Sequence, residues 1–327
     1  MTRRMFVALA LGATVALTAL TATTTRAASA SASASASASA SASASASVSV
    51  VDDAGRTVTL AAPARRVISL SPHGTELIYA AGGGARLVGT VSYSDYPGAA
   101  KRVPRIGDAL VLDLERIAAL KPDLIVVWWQ GNDQQQIDRL RDLHIPLFFS
   151  APRRLDDVAT SLTRLGVLFD TPDTAQAAAA DFRRDIAQLR TRYAGRPPVS
   201  VFYEAWDRPL MTLNGESMIS DVIALCGGRN IFAGLKPLVP TVSTEAVLAA
   251  NPDAIVTSAQ GATASDQPLP ALESWRAWPM LTAVRHGNLF AIDGDLLTRP
   301  APRIAQGAAQ LCKDLDQARA RDAGASR

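Results

Sequence analysis

The sequence predicts an α/β protein with two Rossmann-like α/β lobes joined by one long rigid α-helix and a ligand cleft between the lobes. Three observations favour this fold. Short apolar runs alternate with helical segments in two successive series, before and after Pro198. A long helical pattern at residues 171–195 separates the two series. A stretch of the first half, residues 112–127, recurs without a gap at residues 242–257 in the second half.

The N-terminal segments are expected to lie outside the lobes. Residues 1–30 begin with Arg3 and Arg4, continue with an uncharged apolar run and end in small residues, which is typical of a cleaved secretory signal peptide. A membrane anchor is the alternative, but the run is rich in Ala, Thr and Gly and lacks a stop-transfer flank. Residues 31–47 alternate Ser and Ala and predict a flexible tether, although alternating small residues could also stack as strands.

The first lobe is predicted at residues 48–170. Two short alternating runs around Asp53-Ala-Gly55 predict a hairpin over Val48–Leu60. Four apolar runs predict strands: "RVISL", "RLVGTVSYS", "PDLIVVWW" and "IPLFFS". The segment "SPHGTELIYAAGGG" after the first of them predicts a helix that ends at its glycines.

The connecting helix is predicted at residues 171–195. Thr171 suits the N-cap, Pro172 suits the first helical position, and Gly195 with the prolines after it ends the helix. Four apolar residues fall on one face at helical spacing: Phe182, Ile186, Leu189 and Tyr193. The alternative is one more helix packed on a single sheet. The second lobe follows at residues 196–327, with strands predicted at "VSVFYEAW", "PLMTLNG", "PDAIVTS" and "NLFAID".

The internal repeat pairs "LDLERIAALKPDLIVV" with "VSTEAVLAANPDAIVT". Asp113 and Ser243 are cap-type residues, and Glu115 and Glu245 follow in the first helical turn, where a carboxylate suits the helix dipole. Each helix ends before a Pro-Asp pair and an apolar strand. The repeat predicts that the two lobes are related in topology.

Charge and cysteine content narrow the function. Residues 1–30 contain three arginines and no acidic residue, so the remaining chain has 30 basic and 30 acidic residues. This balance argues against nucleic-acid or anionic-membrane binding. Export favours a disulfide between Cys226 and Cys312, with two buried free thiols as the alternative.

Catalysis is not indicated, and we expect no enzyme activity, metal or cofactor. The three histidines, His73, His144 and His286, lack metal-site spacing. "GGGAR" follows a helix, unlike a phosphate loop, and "GESM" lacks the nucleophile-elbow pattern. What remains is a recognition surface at strand ends and in the loops after them, although core packing is the alternative for each aromatic. Its candidates are Tyr93, Tyr96, Trp128, Trp129, Trp206, Asp295 and Arg299.

The two adjacent tryptophans are expected to play different parts. Successive side chains of a strand point to opposite faces, so Trp128 and Trp129 cannot both line the same surface of a continuing strand. We assign Trp128 to the ligand face and expect Trp129 in the core.

From about Arg66 to Leu315 the chain resembles periplasmic substrate-binding proteins of the helical-backbone class, which serve ABC importers of cobalamin, haem and siderophores. The cobalamin-binding members are the most similar. The resemblance rests on "RVISLSPHGTEL", "SYSDYP", "LERIAALKPDLIVVW", "CGGRNIF", "VSTEAVLAANPDAIV" and "PRIAQGAAQLC". It implies two α/β lobes joined by one long helix.

The resemblance also implies residue roles. Tyr93 and Trp128 would face a corrinoid, Asp295 and Arg299 would offer it polar contacts, and Met211 would line the cleft. Cys226 and Cys312 match the disulfide of the class. Glu115 and Glu245 match the surface carboxylates, one per lobe, that dock onto arginines of the membrane permease.

Two positions depart from the cobalamin-binding members, which have tryptophans where this chain has Ala109 and Val239. Their loss predicts a roomier pocket, which Trp206 and Trp129 could partly fill.

The expected function is capture of a corrinoid such as cobalamin (vitamin B12) by a monomeric periplasmic protein that delivers it to an ABC importer. A haem or ferric-siderophore carrier is the alternative within the class, with Tyr93, Tyr96 or His73 as axial ligands of haem. A secreted sensor or adhesion module without a transporter is the alternative from another class, and a zinc-containing metallohydrolase is a third.

Overall fold

The computed structural model describes residues 47–108, 111–129, 131–259 and 270–325. The predicted signal peptide at residues 1–30 and the predicted tether up to residue 46 lie outside the described residues, as does Ala109. None of the helices in the described ranges has the length and apolar character needed to cross a membrane.

The first half of the chain forms a hairpin, a four-stranded sheet and the helices around it. Its strands are β1 (Val48–Val51), β2 (Thr57–Leu60), β3 (Val67–Ser69), β4 (Leu87–Thr90), β5 (Leu124–Trp128) and β6 (Leu147–Ser150). Its helices are α1 (Pro72–Ala80), α2 (Leu114–Ala119), α3 (Gln134–Asp142) and α4 (Leu155–Phe169). The longer helix α5 (Pro172–Tyr193) then leads into the second half, within the segment predicted to connect the lobes.

The second half forms another four-stranded sheet and a small two-stranded one. Its strands are β7 (Val199–Glu204), β8 (Trp206–Asp207), β9 (Leu210–Met211), β10 (Gly228–Asn230), β11 (Ala254–Ala259) and β12 (Leu289–Asp293). Its helices are α6 (Met218–Leu225), α7 (Thr244–Ala250), α8 (Pro270–Trp275), α9 (Thr282–Arg285), α10 (Gly294–Leu297) and α11 (Ile304–Ala325).

The two four-stranded sheets have the same topology. The strand order is β4-β3-β5-β6 in the first and β10-β7-β11-β12 in the second, and neighbouring strands are parallel in both. In each sheet the second strand in chain order flanks the first on one side, while the third and fourth follow on the other. The expectation that the lobes are related in topology is confirmed, and so is the α/β fold class.

One apolar core runs through both lobes along the long helices. It contains Val126 of β5, Phe182 of α5 and Val201 of β7, all nearly inaccessible to solvent. Helix α5 packs on α1 and α4 of the first lobe and on α6 and α11 of the second. The close approach of α4 to α5 needs Gly166, because a Cβ there would overlap the Cβ of Ala175. The lobes are therefore joined by packing as well as by the chain.

The beginning of α4 also links the lobes through polar contacts. The Leu155 N–H donates to the Asp221 carboxylate of α6 at 2.7 Å. The Arg154 guanidinium pairs with the same carboxylate at 2.6 Å. Thr171 occupies the predicted N-cap of α5, but its hydroxyl donates to the Ala81 carbonyl instead of capping the helix.

The predicted hairpin is confirmed as the antiparallel pair β1 and β2. The buried Asp52 carboxylate accepts hydrogen bonds from Ala54 and Arg56 in the turn and from the Phe149 N–H of β6. Asp53 accepts from the Ala151 N–H. The turn is thereby fixed to β6, the edge strand of the first sheet.

Cys226 and Cys312 form a disulfide, with their Cα atoms 4.6 Å apart. Cys226 is the C-cap residue of α6, and Cys312 lies within α11. Both side chains are fully buried. The predicted disulfide is confirmed, and it joins two helices of the second lobe.

Candidate functional site

Trp128 is the last residue of β5, at the carboxyl edge of the first sheet. Its N–H donates to the Asn132 Oδ1 at 2.7 Å, and the Asn132 amide donates to the Leu70 carbonyl beyond the end of β3. The indole lies against Gly131, where any Cβ would overlap its ring carbons. The ring is 36% exposed, which makes it available to a ligand at this edge.

The expectation that Trp129 lies in the core is wrong. Its side chain is 37% exposed and packs edge-on against Phe149, with ring centroids 6.5 Å apart. The alternation of side chains that placed it inside holds only within a strand, and β5 ends at Trp128. Trp129 already belongs to the turn and follows the turn geometry.

Tyr93 follows β4 and is 72% exposed, at the same carboxyl edge as Trp128. Its φ of 63° is in the left-handed region, which non-glycine residues seldom adopt outside functional or strained turns. The loop is held by Arg105, which donates to the Ser94 carbonyl at 3.0 Å and pairs with Asp95 at 3.3 Å. A fixed loop thus presents a solvent-facing tyrosine.

In the second lobe, Trp206 and Met211 lie side by side on the β8–β9 hairpin, because they are directly paired across it. Trp206 is 61% exposed, and its indole N–H donates to the Arg208 carbonyl. The Thr212 N–H donates to the Pro240 carbonyl, which places the exposed Val239 beside this hairpin. That Trp206 fills part of the space near Val239 stays a prediction.

Asp295 and Arg299 lie beyond β12, at the carboxyl edge of the second sheet. Their side chains form an ion pair with a Nη2–Oδ1 distance of 2.6 Å. The Arg299 side chain is only 13% exposed, whereas Asp295 is 41% exposed. The two predicted polar groups thus form one unit.

A residue that the sequence prediction missed, Glu76 of α1, joins this unit from the first lobe. Its carboxylate forms an ion pair with Arg299 at 3.3 Å. It also accepts two hydrogen bonds from Arg303, from Nε to Oε2 at 2.9 Å and from Nη2 to Oε1 at 2.6 Å. The Arg303 guanidinium also lies 4.0 Å from the centroid of the Tyr96 ring. The carboxyl edges of the two sheets therefore meet at this cluster.

A sequence signal for Glu76 existed. It stands in the apolar segment "GTELIYAA", where a carboxylate on a buried helix face requires a cationic partner. The sequence could not name that partner, since Arg303 lies 227 residues away.

His73 lies in the first turn of α1 and contacts Trp128. Its ring meets the Trp128 indole edge-on, with centroids 5.6 Å apart. Burial, with a smaller contribution from the Arg299 charge, lowers the pKa of His73 to about 3. The imidazole is thus neutral at neutral pH, and its Nε2 has no hydrogen-bond partner among the described residues.

The two repeated glutamates occupy equivalent places in the two lobes. Asp113 and Ser243 are the N-caps of α2 and α7, and their side chains accept from the backbone N–H three residues later. Glu115 and Glu245 follow in the first turn and are exposed. Each helix precedes the third strand of its sheet. Because helices in such units run opposite to the strands, both glutamates lie toward the carboxyl edges.

The structure thus brings Trp128 into ring contact with His73, pairs Asp295 with Arg299 and pairs Trp206 with Met211. In the part of the chain that it describes, it shows no hydrogen bond or ring contact between Tyr93 and the other predicted ligand residues. Those same residues contain no group of three or more His, Cys, Asp or Glu side chains able to hold a metal ion.

Known proteins are similar to this chain in sequence and in architecture. The chain is 39% identical to the vitamin B12-binding protein of Vibrio cholerae over 251 residues, which is 76% of this chain and 88% of that protein. It is 40% identical to the vitamin B12-binding protein of Yersinia pestis over 255 residues, 78% of this chain and 88% of that one.

Solved structures agree with this relationship. The crystal structure of the Vibrio cholerae periplasmic vitamin B12-binding protein matches with a TM-score of 0.71, covering 79% of this chain and 98% of that one. A periplasmic heme-binding protein from Roseiflexus sp. RS-1, 25% identical, matches with a TM-score of 0.66 over 78% and 99% of the two chains. The family model described as periplasmic binding protein covers residues 67–296, and this chain belongs to that family.

Proposed function

We propose that the protein is the periplasmic receptor of an ABC importer and that its cargo is a corrinoid such as cobalamin. The observation that supports the cargo most directly is the identity of 39–40% with two proteins named for vitamin B12 binding. In this role the protein makes and breaks no covalent bond. A cleavable signal peptide directs it to the periplasm, where it acts as a monomer and delivers its ligand to a membrane permease.

The exposed aromatic and polar side chains at the carboxyl edges of the two sheets support a large, flat and partly polar ligand. Tyr93 and Trp128 supply exposed aromatic faces from the first lobe, and Trp206 supplies another beside Met211 in the second. Aromatic rings bury extensive apolar area at a small cost in conformational freedom. Asp295 and Arg299 add hydrogen-bonding groups that would orient the peripheral amides of a corrinoid.

A haem carrier is the second candidate, because the exposed Tyr93 hydroxyl could serve as an axial ligand of iron. The other two candidates for this role are less accessible. His73 is buried beneath Trp128, and Tyr96 is stacked on Arg303.

Titration of the purified full-length protein separates the cargoes. We expect cyanocobalamin to quench tryptophan fluorescence and to bind with one-to-one stoichiometry by calorimetry, and to bind more tightly than haemin or ferrichrome. A Trp128→Ala variant should weaken cyanocobalamin binding, while Trp278→Ala, which removes an exposed tryptophan outside the proposed site, serves as the matched control. Binding of haemin with no response to cyanocobalamin would overturn the cargo assignment.

A further inference from the structure

Four charged side chains form ion pairs between the two lobes, and we call them the bridging cluster: Glu76, Asp295, Arg299 and Arg303. Glu76 comes from α1 in the first lobe, and the other three come from the segment that follows β12 in the second. Arg299 contacts both carboxylates, at 3.3 Å from Glu76 and 2.6 Å from Asp295. Arg303 holds Glu76 through two nitrogens. The cluster therefore joins the lobes at the place where a ligand would rest.

The cluster is balanced in charge and mostly removed from water. It pairs two carboxylates with two guanidinium groups, and the Glu76 side chain is only 2% exposed. The side chains of Arg299 and Arg303 are 13% and 15% exposed. At such low exposure a charge without a partner is costly, so both arginines are committed to the carboxylates of the protein itself.

The position of Glu76 is fixed by its helix. The Ser71 hydroxyl caps α1 by accepting from the Gly74 N–H, and the neighbouring Thr75 hydroxyl meets that of Thr90 at 2.7 Å. The Tyr96 ring lies against Arg303 from the side of the first lobe. Glu76 therefore meets the arginines as a preorganised partner, and no reorganisation of α1 is needed to form the cluster.

His73, one turn before Glu76 on α1, adds no charge to this region. It is buried beside Trp128, and burial together with the Arg299 guanidinium lowers its pKa to about 3. The bridging cluster and His73 together thus carry no net charge at neutral pH, even though the cluster contains two arginines.

We propose that Glu76 is a specificity-determining residue, which neutralises Arg299 and Arg303 so that the cleft accepts a neutral macrocycle and rejects anionic cargo of similar size. This inference rests on the proposed function, since it concerns the same cleft. A haem with its two propionates, or an anionic ferric catecholate, needs unpaired cations, and the bridging cluster offers none. A corrinoid, whose periphery consists of neutral amides, can use the remaining N–H donors of Arg299 without displacing a carboxylate.

The test removes the charge of the Glu76 side chain and keeps its shape. We expect Glu76→Gln to bind haemin and ferric enterobactin roughly tenfold to hundredfold more tightly than the wild type, the range that a hydrogen bond to a charged group provides. Cyanocobalamin and the neutral ferrichrome should not gain affinity. Glu76→Asp keeps the charge and should keep the preference of the wild type.

Two further variants separate charge from structure. Glu76→Gln combined with Arg303→Gln restores the balance and should lose the gain for haemin. Glu273→Gln removes a carboxylate from an exposed Glu–Arg pair of the second lobe and is the matched control, with no change expected. Unfolding temperatures measured for every variant show whether the folded fractions are comparable.

A second variant tests the role of charge even if Glu76→Gln alone does not fold. Asp295→Asn creates the same excess of positive charge at a side chain that is 41% exposed, so it should also gain affinity for haemin. Unchanged haemin affinity in the folded variants with excess positive charge contradicts the inference. A wild type that fails to bind cyanocobalamin refutes the proposed cargo instead, and the comparison of haemin affinities still stands.

Discussion

Trp128 is held at the carboxyl edge of the first sheet by two small or polar residues that follow it. Asn132 fixes the end of β5 by accepting from the Trp128 N–H, and Gly131 leaves room for the indole over the backbone. His73 also contacts the ring edge-on, with centroids 5.6 Å apart. A stacking surface of this kind is useful only if the ring is held in one orientation before the ligand arrives.

We therefore predict that Gly131→Ala weakens cyanocobalamin binding roughly threefold to tenfold, the equivalent of losing one favourable aromatic contact. The added methyl group would overlap the indole of Trp128 and turn the ring out of position. Calorimetric titration gives the affinities. Gly98→Ala is the control, because a Cβ at that position meets nothing within 4 Å. Equal affinities for the two variants would show that the orientation of Trp128 is unimportant.

His73 gives a second prediction, for stability against pH. Its pKa is about 3 in the folded protein and 6.5 in the unfolded chain, so between these values the unfolded chain binds the extra proton. Stability is complete above pH 6.5 and falls as the pH drops toward 3, by up to about 1.4 kcal/mol for each pH unit. Between pH 7.5 and pH 5 the free energy of unfolding should fall by about 2 kcal/mol more in the wild type than in His73→Gln.

Urea denaturation at the two pH values measures this difference. His144→Asn, at an exposed residue with a left-handed φ of 54° that asparagine tolerates, should behave like the wild type. If the free energy of unfolding falls equally between the two pH values in the wild type and in His73→Gln, the imidazole is hydrated and titrates normally.

Among the elements, most strands of the two main sheets were predictable because their sequences agree with their surroundings, but β10, the short strand Gly228–Asn230, was not predicted. The buried strand β5 is a continuous apolar run, and α2 and α7 begin at cap residues in both copies of the repeat. The strands β8 and β9 contain two residues each, which is too short for any periodic signal. Their place is set by turn geometry and by neighbouring segments.

The candidate site was predictable only where it follows such elements. Trp128 and Tyr93 could be placed because each stands after an apolar run, at the end where parallel strands bind ligands. The contact between Glu76 and Arg303 depends on how the two lobes pack, and no local pattern contains that information. Trp129 was misplaced for a related reason, since the exact end of a strand decides the direction of the next side chain.

The disulfide between Cys226 and Cys312 joins the helices α6 and α11. Its sequence separation of 86 residues corresponds to about 5 kcal/mol of stabilisation in the chain-entropy model. We predict that the double variant Cys226→Ala with Cys312→Ala loses stability of this order in urea denaturation under oxidising conditions.

Because both sulfurs are buried, a reductant added to the folded wild type should act slowly. The double variant should be insensitive to reductant at every concentration of urea. A denaturation midpoint equal to that of the oxidised wild type would mean that the α6–α11 packing alone determines the stability.

On the scale of the whole molecule, the two lobes repeat one topology and are held together by the core around α5. A duplicated topology places equivalent surface groups on both lobes. Glu115 and Glu245 are such a pair, each exposed in the first turn of a capped helix. Two carboxylates on separate lobes suit a partner that itself presents two equivalent basic sites, such as a permease with two-fold symmetry.

Each glutamate also has a local role that must be separated from docking. A carboxylate in the first turn stabilises its helix through the helix dipole. The carboxylate of Glu245 accepts from its own backbone N–H and from the Ser243 hydroxyl, and these contacts lower its pKa. Exposed interactions of this kind contribute little to stability, so their removal leaves the fold intact.

We predict that the double variant Glu115→Ala with Glu245→Ala binds cyanocobalamin with the affinity of the wild type and unfolds at a similar temperature. In a host strain that lacks this gene, the variant should no longer support uptake of labelled cyanocobalamin. In the proposed docking role these carboxylates contact the permease and not the ligand, and their local contribution to helix stability is small. The matched control is Asp173→Ala with Glu273→Ala, which removes two acids from the first turns of α5 and α8, outside the repeat. Each single variant should show intermediate uptake, because one lobe can still engage. Normal uptake by the Glu115/Glu245 double variant would leave these carboxylates with helix stabilisation alone and would exclude them from the transport step.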